Sequence, residues 1–204
     1  MISIVNCNIG NVGSVANMIK KAGGESVICH SPENLINAQK IILPGVGAFD
    51  TGMKNLIQGG WIDILKEKAN VEKVPVLGIC LGMQLMTSSS EEGNLEGLGW
   101  VPGKAVKFSF DTNQFKIPHM GWNDVTLSKR SQLIDSGFVN DFRYYFVHSY
   151  YVKLNEATDE VLSCDYGIKF TCGFERENLI GVQFHPEKSH KYGLHLIKNF
   201  IDRY

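Results

Sequence analysis

The chain has 204 residues, of which 44 % are hydrophobic and 20 % charged, the proportions of an ordinary soluble globular domain. Its formal net charge of −1 gives no electrostatic argument for binding nucleic acid or an anionic membrane surface. No apolar run approaches the roughly 20 residues of a membrane span, and the N-terminus lacks the basic segment of a signal peptide.

The first half of the chain alternates short apolar runs with helix-like segments. Residues 1–6 predict a strand, and residues 11–22 predict a helix that ends at Gly23-Gly24. Further strands are predicted at residues 25–28, 40–43 and 74–79, and further helices at residues 61–69 and 81–86. This alternation predicts a largely parallel sheet with helices on its faces.

The second half is rich in strands that have no helices between them. Strands are predicted at residues 100–108, 115–118, 122–127, 144–152, 161–165, 168–174 and 179–184, and a final amphipathic helix at residues 192–201. Strands separated only by turns pair antiparallel. Because no linker or repeat interrupts the chain, residues 1–204 predict one α/β domain with a mixed sheet.

The most informative motif is Gly78-Ile79-Cys80-Leu81-Gly82, which lies between a predicted strand and a predicted helix. In this context a Gly-x-nucleophile-x-Gly motif places its central side chain on a strained turn above a sheet. The positive end of the following helix favours thiolate over thiol. We therefore predict that Cys80 is a nucleophile, with a buried structural cysteine in a glycine-rich turn as the alternative.

A second motif, Gln183-Phe184-His185-Pro186-Glu187, ends the last predicted strand, where open α/β sheets commonly place functional groups. His185 is predicted to act as general base toward Cys80 and then as acid toward the leaving nitrogen. Glu187 lies two residues further on, so an extended backbone would point both side chains the same way and let the carboxylate hold the imidazole. A polar turn that caps the last helix is the alternative for this segment.

A third motif is the glycine-rich loop Leu43-Pro44-Gly45-Val46-Gly47-Ala48-Phe49, after the third predicted strand. Acyl transfer through cysteine creates an oxyanion that needs preorganised N–H donors. We predict one donor at Leu81, directly after the nucleophile, and the other at Val46 or Gly47. A phosphate-binding loop is the alternative, although the segment lacks a following Lys-Ser/Thr and the full Gly-x-Gly-x-x-Gly pattern.

Cysteine and histidine spacing bears on compartment and metal binding. Five cysteines stand at positions 7, 29, 80, 164 and 172 without a Cys-x-x-Cys pair, which argues against a disulfide framework and for a reducing cytoplasm. The six histidines show no ligand spacing in combination with cysteine. We therefore expect neither a metal site nor a cofactor.

Together the three motifs resemble those of the class I, triad-type glutamine amidotransferases, and most closely the glutaminase subunits of imidazole glycerol phosphate synthase. The likeness covers nearly the whole chain and includes the segments 90–93, 97–99, 118–123 and 145–150. It implies a flavodoxin-like α/β fold in a single domain. In that fold a mixed central sheet has helices on both faces and an antiparallel second half.

The resemblance also implies a reaction. Cys80 would attack the side-chain amide of L-glutamine, ammonia would leave, and the glutamyl thioester would be hydrolysed, with His185 and Glu187 completing the triad. The residues that the resemblance places around the glutamine are Gly45, Gln84, His148, Ser149 and Tyr150.

A partner is implied as well, namely a (β/α)8-barrel synthase subunit in a heterodimer. The residues expected to face it are Asn11, Met120, Trp122 and Lys188, with core packing as the alternative for Met120 and Trp122. Ammonia released into water mostly becomes ammonium, a poor nucleophile. We therefore expect direct transfer to the partner and low activity without it.

The sequence departs from the family in one stretch. Asn6-Cys7-Asn8 stands where Asp-Tyr-Gly is usual, and Gly13 stands where a basic residue is common. We expect this stretch near the synthase interface rather than in the glutaminase site. The resemblance makes histidine biosynthesis the expected acceptor pathway. The departure weakens that assignment, and amidino-sugar formation for surface polysaccharides is the alternative.

Two other classes of protein compete with this interpretation. A γ-glutamyl hydrolase or cysteine peptidase needs an open groove, whereas the segment 118–123 resembles a protein-binding surface. A non-catalytic interaction module or a redox-sensing protein of similar fold has no need of His185 and Glu187 together.

Overall fold

A mixed β-sheet organises the fold in the computed structural model, which describes residues 1–111, 113–134 and 142–204. Its strands are β1 (Ile2–Val5), β2 (Ser26–Cys29), β3 (Ile41–Gly45), β4 (Val76–Cys80), β5 (Ser89–Ser90), β6 (Gly103–Lys107), β7 (His119–Leu127), β8 (Arg143–His148), β9 (Tyr150–Leu154), β10 (Glu160–Asp165), β11 (Lys169–Arg176) and β12 (Leu179–Val182). Its α-helices are α1 (Val12–Lys21), α2 (Phe49–Gln58), α3 (Trp61–Lys66), α4 (Leu81–Leu85) and α5 (His190–Arg203).

The order of the strands divides the sheet into two regions. Strands β2, β1, β3, β4 and β12 lie side by side and are parallel. Strands β11, β10, β7 and β8 then continue the sheet in antiparallel pairing. Strand β9 pairs with β11 and with β6. The predicted mixed sheet with an antiparallel second half is therefore confirmed.

Alternating side chains of the parallel strands serve two separate cores. On β3, Ile42 packs in the core that contains the apolar residues of α1 and α5. Its neighbours Ile41 and Leu43 pack in the core that contains those of α2, α3 and α4. Since successive strand residues point to opposite faces of a sheet, both faces are covered by helices, as predicted.

Three local predictions need correction. Residues 115–118 do not form a strand, because Phe115 packs against the rings of Phe110 and Tyr166 instead of joining a ladder. Residues 144–152 form two strands that are interrupted at Ser149, where the chain passes from pairing with β7 to pairing with β6. Helix α3 ends at Lys66, and Glu67–Val71 continues it as a π-helix.

Helix α2 was missing from the predictions, although its sequence carries a signal. Phe49, Met53 and Leu56 are spaced to share one helical face, and all three are buried. The helix follows the glycine-rich loop without a side-chain cap of its own. Instead, its first N–H, on Phe49, donates to Glu92 Oε2 at 2.8 Å, and this capping contact comes from a distant part of the sequence.

Close backbone packing fixes the turn between β4 and α4. A Cβ on Gly82 would lie 1.8 Å from the carbonyl oxygen of Leu43, and a Cβ on Gly78 would lie 2.8 Å from the backbone of Gly82. A Cβ on Gly45 would lie 2.9 Å from the backbone nitrogen of Gly82. The glycines therefore allow β3, β4 and α4 to approach at a distance that no other residue type permits.

We expect Gly82→Ala to lower the free energy of unfolding by about 1–3 kcal/mol, because the added methyl group forces α4 away from β3. Urea unfolding followed by circular dichroism measures the change. Gly13→Ala is the matched control, since its Cβ would meet only Asn11 Oδ1 at 4.0 Å on helix α1. There alanine should stabilise the protein by about 0.5–1 kcal/mol. Changes of the same sign in both variants would contradict this account of the turn.

Candidate active site

Cys80 occupies a strained position at the end of β4. Its φ is 54°, in the left-handed region that residues other than glycine rarely adopt, and the side chain is 7 % exposed. Such strain persists only where the surroundings hold it, and here the glycines at positions 45, 78 and 82 do so. The thiol is thereby presented above the carboxyl end of the parallel strands.

His185 reaches the same place because β12 pairs parallel with β4. Val182, the last residue of β12, pairs with Ile79, so the segment after β12 emerges beside Cys80. His185 Nδ1 lies 2.8 Å from Glu187 Oε1, and both side chains are almost completely buried. The contact forms within the 3-10 turn Pro186–Lys188, so the extended backbone expected between His185 and Glu187 was wrong.

The protonation of His185 is set by opposing influences. Burial disfavours the imidazolium, but hydrogen bonding and charge from Cys80 and Glu187 outweigh it and raise the pKa of the imidazole above its usual range. The carboxylate is held at Nδ1, which leaves Nε2 as the nitrogen available to Cys80. A folded-state pKa above the unfolded value stabilises the fold at low pH, and this contribution is lost as the pH rises through the folded-state value.

A cavity of about 450 Å³ joins the three sequence motifs. Most of the predicted site residues line it, namely Val46, Gly47, Cys80, Leu81, Gln84, His148, Ser149, Tyr150 and His185. Gly45 and Glu187 lie behind this lining, the first against α4 and the second against His185. The remaining walls come from Ala48, Glu92, Pro118 and Val147.

In the glycine-rich loop, one of the two N–H groups predicted to bind an oxyanion is already in a backbone hydrogen bond. The Val46 N–H donates to the carbonyl of Ile9, so it does not point at an incoming oxyanion in this conformation. Gly47 has a φ of 99°, which requires glycine. A Cβ on Gly10 would lie 3.2 Å from Pro44, so residues 9 and 10 pack directly on this loop. Residues 9 and 10, which lie between the two departures from the family, therefore contact the glycine-rich loop, although no residue of the stretch 6–13 lines the cavity.

The opposite wall is set by a buried pair of histidines. His148 Nδ1 donates to the Tyr150 carbonyl at 2.7 Å, and His148 Nε2 lies 3.0 Å from His119 Nδ1. Burial lowers the pKa of His148 to about 3 and that of His119 to about 4, so both rings are neutral at physiological pH. This neutral pair holds the strand interruption at Ser149 against the cavity.

Two polar residues of the site were missed from the sequence: Glu92, which lines the cavity, and Gln183, which lies behind the lining. Glu92 lines the cavity while its Oε2 accepts the Phe49 N–H. Gln183 is fully buried and contacts both Cys80 and Gln84. Both residues lie in segments that resemble the family. The neighbouring sequence does not indicate that the Glu92 side chain reaches the cavity or that the Gln183 side chain reaches Cys80.

The residues expected to face a partner are exposed, with Met120 and Trp122 on β7, Lys188 after β12 and Asn11 at the start of α1. Met120 and Trp122 are 61 % and 41 % exposed, which excludes the core alternative. Trp122 stacks on His190 and packs edge-on against Tyr145, and Lys188 Nζ lies 5.7 Å from the Tyr145 ring centroid. Asn11 is exposed at the start of α1, where its side chain accepts the Ser14 N–H at 3.2 Å.

Within residues 1–111, 113–134 and 142–204, no group of three or more His, Cys, Asp or Glu side chains is arranged to hold a metal ion. In the same part of the chain no helix is long and apolar enough to cross a lipid bilayer.

The fold is that of the glutamine amidotransferases. A family model described as "Glutamine amidotransferase class-I" matches residues 3–203. Among solved structures, a glutamine amidotransferase superimposes with a TM-score of 0.72 at 18 % identity, covering 97 % of this chain and 99 % of that one. PurLQS from Thermotoga maritima also gives a TM-score of 0.72 at 18 % identity, covering 98 % of this chain and 96 % of that one.

Curated relatives are far more similar in sequence. "Imidazole glycerol phosphate synthase subunit HisH 2" of Methanococcus maripaludis is 52 % identical, with 98 % of each chain covered. The protein with the same description in Pseudomonas aeruginosa is 45 % identical, with 99 % of each chain covered. The chain therefore belongs to the class I glutamine amidotransferase family, and it is an enzyme of that family.

The raised pKa of His185 can be tested by Glu187→Gln, which keeps the shape of the side chain but removes its charge. We expect the pKa of the His185 imidazole to fall, because the carboxylate charge that offsets the effect of burial is removed. The imidazolium should lose its proton at a lower pH than in the wild type, as measured by long-range ¹H–¹⁵N NMR. Glu177→Gln, at an exposed ion pair with Lys73, is the control and should leave His185 unchanged. An unaltered His185 titration in Glu187→Gln would refute the assigned cause.

Proposed function

We propose that the chain hydrolyses L-glutamine through a thioester at Cys80. The Cys80 thiol gives its proton to His185 Nε2, and the sulfur attacks the side-chain amide carbon. His185 returns the proton to the nitrogen, so ammonia leaves and a glutamyl thioester stays. Water then hydrolyses the thioester with His185 as base, which releases glutamate and restores the thiol. The observation that supports this most strongly is the strained Cys80 in one cavity with the buried His185–Glu187 pair.

Glutamine has a charged end that the cavity must recognise. We assign its α-ammonium group to the carboxylate of Glu92, the acidic side chain of the lining. Gln84 and the backbone of His148, Ser149 and Tyr150 are proposed to hold the rest of the substrate, as is Gly45 through the loop that it anchors. In this arrangement the amide carbon of glutamine is directed at Cys80.

Stabilisation of the oxyanion is proposed to come from Leu81 together with Val46 or Gly47. The Val46 N–H is available only after its bond to the Ile9 carbonyl opens. Low basal activity follows, because one preorganised donor is typically worth about 10²–10³-fold in rate. Docking of a partner is the event that we propose opens this bond.

We further propose that this chain forms a heterodimer with a (β/α)8-barrel synthase subunit and passes ammonia to it. The descriptions of the relatives, at 44–52 % identity over nearly the whole chain, support imidazole glycerol phosphate synthase of histidine biosynthesis as that complex. The exposed Met120 and Trp122 support a partner surface, and the exposed Lys188 and Asn11 are proposed to contact the same partner. Residues 1–204 would act as one glutaminase unit in the cytoplasm, where its free cysteines stay reduced.

Amidino-sugar formation is the second candidate for the acceptor reaction, favoured by the departures at Asn6-Cys7-Asn8 and Gly13. The two candidates differ in the product that the complex makes from glutamine. Glutamine-dependent formation of imidazole glycerol phosphate with a histidine-pathway barrel subunit supports the first, and its absence alongside amidination of a sugar supports the second. Cleavage of polyglutamate or casein without cleavage of glutamine would instead indicate a γ-glutamyl hydrolase or a peptidase.

We expect Cys80→Ala and His185→Ala to abolish glutamate production almost completely, since members of a triad act as a unit. Glu187→Gln should be at least about tenfold less severe, because the amide still orients the imidazole. Glutamate release in the presence of the partner measures all three. Cys29→Ala, which removes a buried thiol on β2, is the matched control and should retain activity. Full activity in Cys80→Ala would reject the nucleophile.

We expect Trp122→Ala to weaken binding of the barrel subunit by about tenfold or more, because exposed aromatic anchors dominate interfaces. Labelling of Cys80 by a glutamine-mimicking diazo ketone should be spared, since Trp122 does not line the cavity. Isothermal titration calorimetry measures the affinity. Leu127→Ala is the control, because Leu127 is an exposed apolar residue at the far end of the same strand. Equal affinities of the Trp122 and Leu127 variants would remove Trp122 from the interface.

A further inference from the structure

Gln183 is a fully buried amide directly after β12, two residues before His185. Its backbone N–H donates to the Cys172 carbonyl at 2.9 Å, which fixes the main chain from which the side chain extends. Gln183 Nε2 lies 3.6 Å from Cys80 Sγ, and Gln183 Oε1 lies 2.9 Å from Gln84 Nε2. The amide thus bridges the nucleophile and a wall of the cavity.

The Tyr150 carbonyl decides which ends of the Gln84 and Gln183 side-chain amides are donors and which are acceptors. A carbonyl oxygen only accepts hydrogen bonds, and this one lies 3.1 Å from Gln84 Nε2 and 2.7 Å from His148 Nδ1. The Gln84 atom facing Tyr150 is therefore the NH₂ group, which also donates to Gln183. Since Gln183 must accept from Gln84 with its oxygen, its own NH₂ group faces the sulfur of Cys80.

We propose that Gln183 is a catalytic residue that donates its Nε2–H to the Cys80 thiolate, a role that rests on the proposed glutaminase function. When the thiol proton passes to His185 Nε2, the sulfur acquires a negative charge in a buried site. A fixed N–H donor stabilises that charge more than it stabilises the neutral thiol. Because the donor is oriented by Gln84 and Tyr150 beforehand, no rearrangement is needed when the charge forms.

The same orientation has a consequence for Gln84. With its NH₂ group committed to Tyr150 and Gln183, the carbonyl oxygen of Gln84 is the part left for a ligand in the cavity that Gln84 lines. Gln84 therefore offers an acceptor to the substrate, while Gln183 offers a donor to the nucleophile. The Tyr150 carbonyl fixes the orientation of the Gln84 amide, and Gln84 in turn fixes that of Gln183, so the two side chains present opposite groups.

The test is the pH dependence of Cys80 alkylation by iodoacetamide, located by peptide mass spectrometry, in wild type and in Gln183→Met. Methionine nearly preserves the volume but has no N–H donor. We expect alkylation at pH 6.5 to fall about tenfold, equivalent to about 1.4 kcal/mol, with the limiting rate at high pH unchanged. Ser163→Ala is the control, since Ser163 is buried on β10 and its Oγ has no partner among the described residues. A Gln183→Met profile that superimposes on that of the wild type overturns the proposal.

A second measurement uses the wild-type side chain itself, in case Gln183→Met does not fold. The ¹⁵N-edited signals of the Gln183 side-chain amide should shift with the same pH midpoint as Cys80 alkylation, and that shift should vanish in Cys80→Ala. A shift that persists in Cys80→Ala overturns the donor role. If the wild type makes no glutamate from glutamine while these thiol measurements agree, the glutaminase function fails and the Gln183 contact stands. If glutamate forms but neither thiol measurement responds, the function stands and the Gln183 role fails.

Discussion

The site depends on one steric constraint, the close approach of the β4–α4 turn to the end of β3. Gly82 lies so near the Leu43 carbonyl that a single methyl group would collide with it, and a Cβ on Gly45 would lie 2.9 Å from the backbone nitrogen of Gly82. This packing holds Cys80 at a φ of 54°, a conformation that costs about 1–3 kcal/mol when nothing enforces it. The packing of the buried sheet offsets that cost. As a result the thiol is held above the strand ends, where it lines the cavity.

The parallel pairing of β12 with β4 then decides which chemistry the thiol meets. Pairing of Val182 with Ile79 delivers His185 and Glu187 to the cavity from more than a hundred residues further along the chain. Burial alone would leave His185 neutral, as it leaves His148 and His119. The difference is the Glu187 carboxylate at Nδ1 together with Cys80. His185 is therefore suited to carry a proton, whereas His148 in the cavity wall and His119 behind it are not.

Local sequence was sufficient for features that depend on a few adjacent residues. The Gly-x-Cys-x-Gly turn, the His-Pro-Glu segment and the alternation of strands and helices each have a pattern of their own, and the mixed sheet follows from them. Gln183 has none, because its role depends on a carbonyl at Tyr150 and an amide at Gln84 that only the fold brings near. The strand predicted at residues 115–118 was wrong for a related reason. Apolar residues that fill an aromatic cluster have the same composition as those of a buried strand.

The contact between Ile9 and Val46 joins the stretch that departs from the family to the glycine-rich loop. Val46 belongs to the glycine-rich loop, whereas Ile9 follows the Asn6-Cys7-Asn8 departure, and Asn55 of α2 donates to the Cys7 carbonyl at 2.8 Å. A substitution that moved residues 6–10 would therefore change, through Ile9, whether the Val46 N–H is free. If Val46 supplies an oxyanion donor, as proposed above, residues of this stretch can alter glutamine hydrolysis without lining the cavity. Such a contact would suit a glutaminase that depends on docking of its partner, because the same stretch restrains the proposed donor.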